Sequence, residues 1–255
     1  MCRGPIARRT TALVLAFGLS LLSSRTAFPV TIGERVEVAG YVKSFVVGFD
    51  QPVVDGSSTE TGGWLWAMNN RARANLGAVI AAWMRLDISY DLSLRIQDDE
   101  LFLAPPIDVF VQPPIYRASD LNRFIWPQDP GKGDHVALLQ NLDRLFFTIT
   151  ARRFDVYVGR QAIAWGSAKA VNPTDILAPF IYTDIDTEDR VGIDAVRIRV
   201  PLGLLGELDA GYVTGEDFEW RYSAAFLRSK FYVLKTDIVL LAMVFRENAL
   251  AVPSG

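Results

Sequence analysis

From Leu86 to Gln97 the chain alternates without exception. Leu86, Ile88, Tyr90, Leu92, Leu94 and Ile96 are apolar, while Asp87, Ser89, Asp91, Ser93, Arg95 and Gln97 are polar or charged. Successive side chains of an extended strand point to opposite sides, so the segment predicts a strand with one greasy and one hydrophilic face. At roughly 3.3 Å per residue the run is about 40 Å long, and a tilt of about 45° shortens its span to roughly 28 Å, the thickness of a bilayer's hydrocarbon core. A long strand of a soluble antiparallel sheet with one wet face carries the same pattern.

Similar segments recur. Strands are expected near residues 35–49, 69–79, 86–97, 137–150, 154–162, 191–200, 207–214, 221–232 and 237–246, nine in all. In the fourth, Leu145, Phe147 and Ile149 oppose Arg144, Thr148 and Thr150, with Phe146 out of phase. In the sixth and seventh, Val196, Ile198 and Val200 oppose Arg197 and Arg199, and Leu208, Ala210 and Tyr212 oppose Glu207, Asp209 and Gly211. The last is apolar on both faces, which predicts a stretch whose inner side is packed by other side chains.

The connections have a rhythm. Tight links (Ala81–Met84, Ala151–Arg153, Pro201–Gly206, Leu234–Thr236) alternate with segments near 50–68, 98–136, 163–190 and 215–220, most of them long and polar. Outer-membrane barrels have this asymmetry, short periplasmic turns opposite longer external loops. The expected fold is therefore all-β, an antiparallel transmembrane β-barrel. The six tryptophans, Trp64, Trp66, Trp83, Trp126, Trp165 and Trp220, fall at expected strand ends or in loops, where an amphipathic ring sits at headgroup level.

The N-terminus changes the compartment. Arg3, Arg8 and Arg9 precede an apolar stretch, Ala12–Leu22, then small and polar residues up to Ala27, and no acidic residue occurs before Glu34. This is the pattern of a secretory signal peptide, residues 1–27, too short to span a bilayer as a helix. Residues 28–255 form the barrel domain. Cleavage near Ala27 removes Cys2, the sole cysteine, so the exported chain forms no disulfide. It also removes four arginines, leaving 22 basic against 29 acidic side chains and a net charge of about −7. That balance argues against binding nucleic acid through a general basic surface.

Half of the residues are apolar and 22% are charged, so the two kinds must be interleaved. Membrane helices would instead segregate them, and after the leader the longest apolar run, Ile238–Phe245, is only eight residues. Candidate chemistry is sparse. The single histidine, His135, lies beside a Pro- and Gly-rich loop, where a solvated side chain is the ordinary outcome and a hydrolytic base the rarer one. One histidine and no mature cysteine rule out a zinc site of those ligands. Acidic groups such as Asp98–Glu100 and Asp184–Asp189 lack the spacing of a calcium loop. No cofactor and no enzymatic activity are expected.

What remains is a polar face of mixed sign. If alternation holds, Asp87, Asp91, Arg95, Arg144, Arg197, Arg199, Glu207 and Asp209 point into a lumen. Burying them dry would cost several kcal/mol each, so they must pair or line water. Mixed sign suits a small polar solute, sugar-like or otherwise.

The segment Gly159-Arg160-Gln161-Ala162-Ile163-Ala164-Trp165-Gly166, followed by Asn172-Pro173-Thr174-Asp175, resembles the Gly-Arg-Gln, Trp-Gly and Asn-Pro-x-Asp series of porin-like outer-membrane β-barrels of Gram-negative bacteria. That broad group includes alginate-export-type porins, and the resemblance covers about residues 137–250. It implies a channel that passes solutes or exports a polysaccharide across the outer membrane, with lipid, the solute and the barrel-assembly machinery as partners. On the residues themselves, Arg160 ends a strand at the rim. Asn172 can cap a short helix starting at Pro173, with Asp175 near its exposed N–H groups. The loop carrying Arg160, Gln161, Trp165, Asn172 and Asp175 then either folds inward as a constriction or remains an ordinary external loop.

The chain departs from that family in stopping at Ala251-Val252-Pro253-Ser254-Gly255 rather than on a strand with a terminal aromatic. Nine strands would also be odd where single-chain bacterial barrels are even, so a barrel truncated at its C-terminus is expected. Two alternatives stay open at this point: a soluble or surface-associated β-rich binding protein, and a barrel-embedded hydrolase.

Overall fold

The computed structural model describes residues 29–50, 64–99, 101, 116–131, 133–165, 177, 190–203, 205–233, 236–245 and 248–254. They form one antiparallel sheet of twelve strands: β1 (Val30–Ile32), β2 (Val36–Asp50), β3 (Trp64–Ala81), β4 (Met84–Gln97), β5 (Phe124–Trp126), β6 (Val136–Thr150), β7 (Asp155–Gln161), β8 (Ile193–Leu202), β9 (Gly206–Val213), β10 (Ala224–Val233), β11 (Thr236–Phe245) and β12 (Asn248–Ser254). Each pairs with its chain neighbour, except that β5 lies off the path and β4 pairs with β6. Two single 3-10 turns, Glu216–Phe218 and Trp220–Tyr222, join β9 to β10.

All nine expected strands are present, and the count is corrected to twelve. β1 and β5 are three residues each. β12 returns along β11 from Phe245↔Asn248 to Val239↔Ser254, where the sequence suggested a broken-off end. Ten strands of seven residues or more now form the meander, so β2 and β12 run antiparallel. The edges of these two strands are not hydrogen-bonded to each other among the described residues, and the sheet is open. The short-link end has residues 33–35, 82–83, 151–154, 203–205 and 234–235 between strands, and the opposite end carries the long connections. Residues 246–247, between β11 and β12, break that rhythm.

The two faces of the sheet differ as the alternation demands, with the polarity of a soluble protein inverted. Leu92 is 37% exposed, Leu94 40%, Phe147 38%, Val196 45% and Leu227 49%, while Arg73 is 5%, Asp91 3% and Asp209 0% exposed. Polar side chains on the apolar face bond one another: Ser44 Oγ donates to Asn70 Oδ1 at 2.7 Å, and Tyr90 Oη to Gln140 Oε1 at 2.6 Å. At the loop end Trp220 stacks on Tyr212 at 6.0 Å between centroids, 7° from parallel.

The irregular phase of the fourth expected strand has a local cause. Ser89 pairs with Arg144 but Tyr90 with Leu142, so Asp143 is an extra residue bulged out of β6. A bulge of one residue shifts the alternation, so Asp143 and Arg144 both reach the polar side, Leu138 and Leu142 precede the shift on the apolar side, and Leu145 and Phe147 follow it there. The apolar inner side of β11 is packed too. Leu241 and Met243 are each 2% exposed, in a cluster with Phe226, Val213, Ile193 and Ile163, closed by Tyr116 and Leu177 from the connections.

Candidate functional site

The charges expected on the polar face are there, and all but Arg95 enter the ion pairs and hydrogen bonds described next. On β3 and β4, Asp91 accepts from Arg71 Nη2 at 2.9 Å, Arg73 Nη1 at 3.2 Å and Asn141 Nδ2 at 3.2 Å. Arg73 Nη2 reaches on to Asp143 at 2.6 Å, and Asp143 also accepts from Gly192 N–H at 2.9 Å and from Arg144 Nε at 3.4 Å. One arginine thus ties β3 to both β4 and the bulge of β6. Arg95 is buried on the same side of β4, and Asp87 there accepts from Arg85 Nε. The second group lies on β8 to β10. Arg197 donates twice to Asp209, at 2.8 and 2.6 Å, and the indole N–H of Trp165 adds a third bond at 2.9 Å. Arg199 and Arg228 both bond Glu207. Of these, Arg197 and Asp209 form a bidentate pair, two parallel N–H donors on the two oxygens of a fully buried carboxylate.

Of the motif residues, three fall within the described chain. Arg160 is 7% exposed and uses its whole guanidinium: Nε and Nη2 on Asp194 at 2.8 and 3.1 Å, Nη1 on Asp120 and Leu142 O at 2.8 and 2.9 Å, and Nη2 on Ser119 O at 2.5 Å. The preceding Gly159 has φ +120°, and a Cβ there would lie 2.3 Å from Leu145 O, so the turn of the strand that aims Arg160 needs glycine. Gln161 Nε2 donates to Ala195 O at 3.2 Å. Trp165 belongs to no interfacial belt. It turns inward, edge-on to Phe226 at 4.8 Å, with its N–H on Asp209. Asn172 and Asp175 lie outside the described residues. His135 is an exposed loop residue with Nδ1 3.3 Å from Gln97 O.

The segment Tyr116–Trp126 escaped the periodicity because it has none. β7 is short and stops opposite Leu145, and beyond its end β5 takes the edge of β6, with Phe124 opposite Leu139. The same segment reaches β8: Asp194 N–H donates to Tyr116 O at 3.0 Å, and Ala118 N–H to Asp194 Oδ2 at 2.9 Å. It therefore fills the wall between β6 and β8 above β7. Arg117 bonds Asn141 Oδ1, Gly192 O and Asp120 and lies 3.8 Å from Asp143, joining the polar network to the Arg160 clasp.

Burial and the nearby Arg160 charge push the Arg117 guanidinium down from its ordinary value, and Asp120 and Asp143 oppose them. For Asp120 burial alone would raise the carboxyl, but Arg117 and Arg160 together hold it below the usual 3.8. A carboxyl depressed by folding contributes stability above its unfolded pKa and loses it as pH falls through the folded value. The Asp120 contacts are thus expected to persist at pH 5 and to be released progressively below 3.8. Amide exchange of residues 116–126 across that range checks this; release already at pH 5 would contradict it.

Lys43, Arg71, Arg73, Asp143, Asp194, Arg117 and Asp120 were not singled out from sequence. Arg71 and Arg73 had a signal: Asn69, Arg71, Arg73 and Asn75 alternate with Asn70, Ala72 and Ala74. Asp143 was hidden by the bulge. Compared with known proteins, the chain matches no family model, no curated protein and no solved structure.

Proposed function

We propose that this chain is a β-barrel channel of a Gram-negative outer membrane, passing small polar solutes or exporting polymer, delivered there after removal of a leader at residues 1–27. The observation that carries the proposal is the inverted polarity of the sheet. The long strands turn apolar side chains outward to exposure and keep their arginines and carboxylates on the other side, except for Arg160 and Asp194, which share the outward phase and are covered there by Ser119 and Asp120. In water such a face would forgo about 1.5–3 kcal/mol for each large apolar side chain left unburied, a continuous patch that soluble monomers avoid. Against acyl chains the same face is at rest. Polar groups stranded in hydrocarbon must find partners within the protein, and the Ser44–Asn70 and Tyr90–Gln140 pairs answer that demand.

Closure of the sheet belongs to this proposal. An open edge in lipid leaves backbone groups unsatisfied, and the antiparallel relation of β2 to β12 is the one a closed meander requires. The lumen is asymmetric: both sides carry ion pairs, and the β8 to β11 side is also filled by the cluster around Phe226 and Met243. The test is reconstitution of the purified chain into a planar bilayer. Discrete conductance steps are expected. Insertion without conductance would overturn the channel function.

A further inference from the structure

The polar face has a hollow near the short-link end. Two cross-strand rows form its floor, Glu37–Gly77–Asp87–Phe146 and Ala39–Asn75–Ser89–Arg144, each running over β2, β3, β4 and β6. Ala39 and Gly77 are small, and the side chains around them are large, so a depression of about 320 Å³ is left. That is the lower end of the range for small-ligand pockets, about 300–1,000 Å³.

The groups around it are fixed in place. Arg85 lies across Gly77, whose absent Cβ would sit 2.2 Å from Arg85 Nη2. Its Nε is held by both oxygens of Asp87, at 2.9 and 3.1 Å, and Nη2 is 3.6 Å from Glu37. Arg144 is anchored through Nε to Asp143 and through Nη2 to Arg190 O. Arg85 and Glu37 are 43% and 56% exposed at their side chains, so their polar ends are open to a ligand. The rings of Tyr41 and Phe146 stand at the margins.

The charges decide the ligand class. Arg85 and Arg144 balance Glu37 and Asp87, and Arg73 is already engaged by Asp91 and Asp143. A net charge on the ligand would meet as much repulsion as attraction. A hydroxyl, in contrast, donates to a carboxylate while accepting from the guanidinium beside it, and Arg85 and Asp87 present that couple side by side. The ring of Phe146 offers apolar surface to the C–H face of a sugar, while Tyr41 carries Lys43 Nζ over its ring at 4.4 Å. We infer that this hollow is a subsite for an uncharged polyhydroxylated solute, a sugar of one or two rings, which rests on the channel function and names its solute class.

Titration calorimetry of the full chain in detergent micelles, with maltose and with sodium gluconate, tests it without requiring conductance. Saturable maltose binding is expected, with gluconate weaker by about tenfold or more, because its carboxylate gives up hydration without a net attraction to replace it. Arg85→Met removes the donor pair and Gly77→Ala displaces it, and each is expected to weaken maltose binding by about the same factor. Absence of maltose binding, equal binding of gluconate, or unchanged maltose affinity in both variants would overturn the assignment. Maltose binding by a chain that inserts and conducts nothing would retain the subsite and remove the channel, so the two failures are distinguishable.

Discussion

Replacing Arg160 with alanine is expected to destabilise the fold by about 3–5 kcal/mol, the loss typical of removing one partner from a buried ion pair. Its guanidinium makes five hydrogen bonds, to two carboxylates and two backbone carbonyls, and of these groups Asp120 is also held by Arg117. Asp194, 20% exposed at its side chain, would be left as a poorly hydrated anion at the head of β8. Segment 116–126 would keep Arg117 and its backbone bonds to β6 and β8 but lose this clasp, loosening the part of the wall above β7. Arg160→Lys restores charge but only one donor group in place of a planar fork, so recovery should be partial. Urea unfolding followed by tryptophan fluorescence gives the magnitude, and amide exchange localises it. A change below about 1 kcal/mol, in the range of exposed ion pairs, would show that the cluster is solvated.

Why the sequence disclosed some of this and not the rest is a matter of which forces leave a period-two mark. β4 is paired along its whole length with β3 and β6, so every residue obeys the two-face rule and Leu86–Gln97 was legible at sight. β6 obeys the same rule, but the bulge at Asp143 resets its phase, and Phe146 looked like an error when it was the first ring after the shift. β11 gave no contrast because its inner side meets Phe226 and Ile163 rather than water. β12 was missed for a third reason: Asn248, Ala249, Ala251 and Pro253 are poor strand formers, and an edge strand tolerates proline. Arg160 and Trp165 were found through the motif, yet their partners Asp120, Asp194 and Asp209 come from three other segments. Only tertiary structure brings those together.

Placing a charge on the outward face should have the second large effect. Leu92, near the middle of β4 and 37% exposed, is replaceable by arginine at little consequence, within about 0.5 kcal/mol, if its surroundings are water. If they are acyl chains, Leu92→Arg is expected to cost about 2–4 kcal/mol, as at the midplane of other membrane barrels. Ser93→Arg places the same charge on the polar face of the same strand and controls for the general effect of the substitution. Folding titrations in phospholipid vesicles compare the two. A penalty confined to position 92 supports lipid contact, and equal small effects at both positions would favour the surface-associated β-rich alternative.

The most direct measurement is a spin-label scan along Leu86–Gln97 in vesicles, reading relaxation by molecular oxygen, which concentrates in acyl chains, against a water-soluble nickel chelate. Oxygen should dominate at residues 88, 90, 92, 94 and 96, and access to the nickel reagent should be confined to the intervening positions, giving two period-two curves in antiphase. Nickel access at residues 92 and 94 equal to or above that at 91 and 93 would mean that the apolar face is wet, and a bilayer-spanning wall would be contradicted.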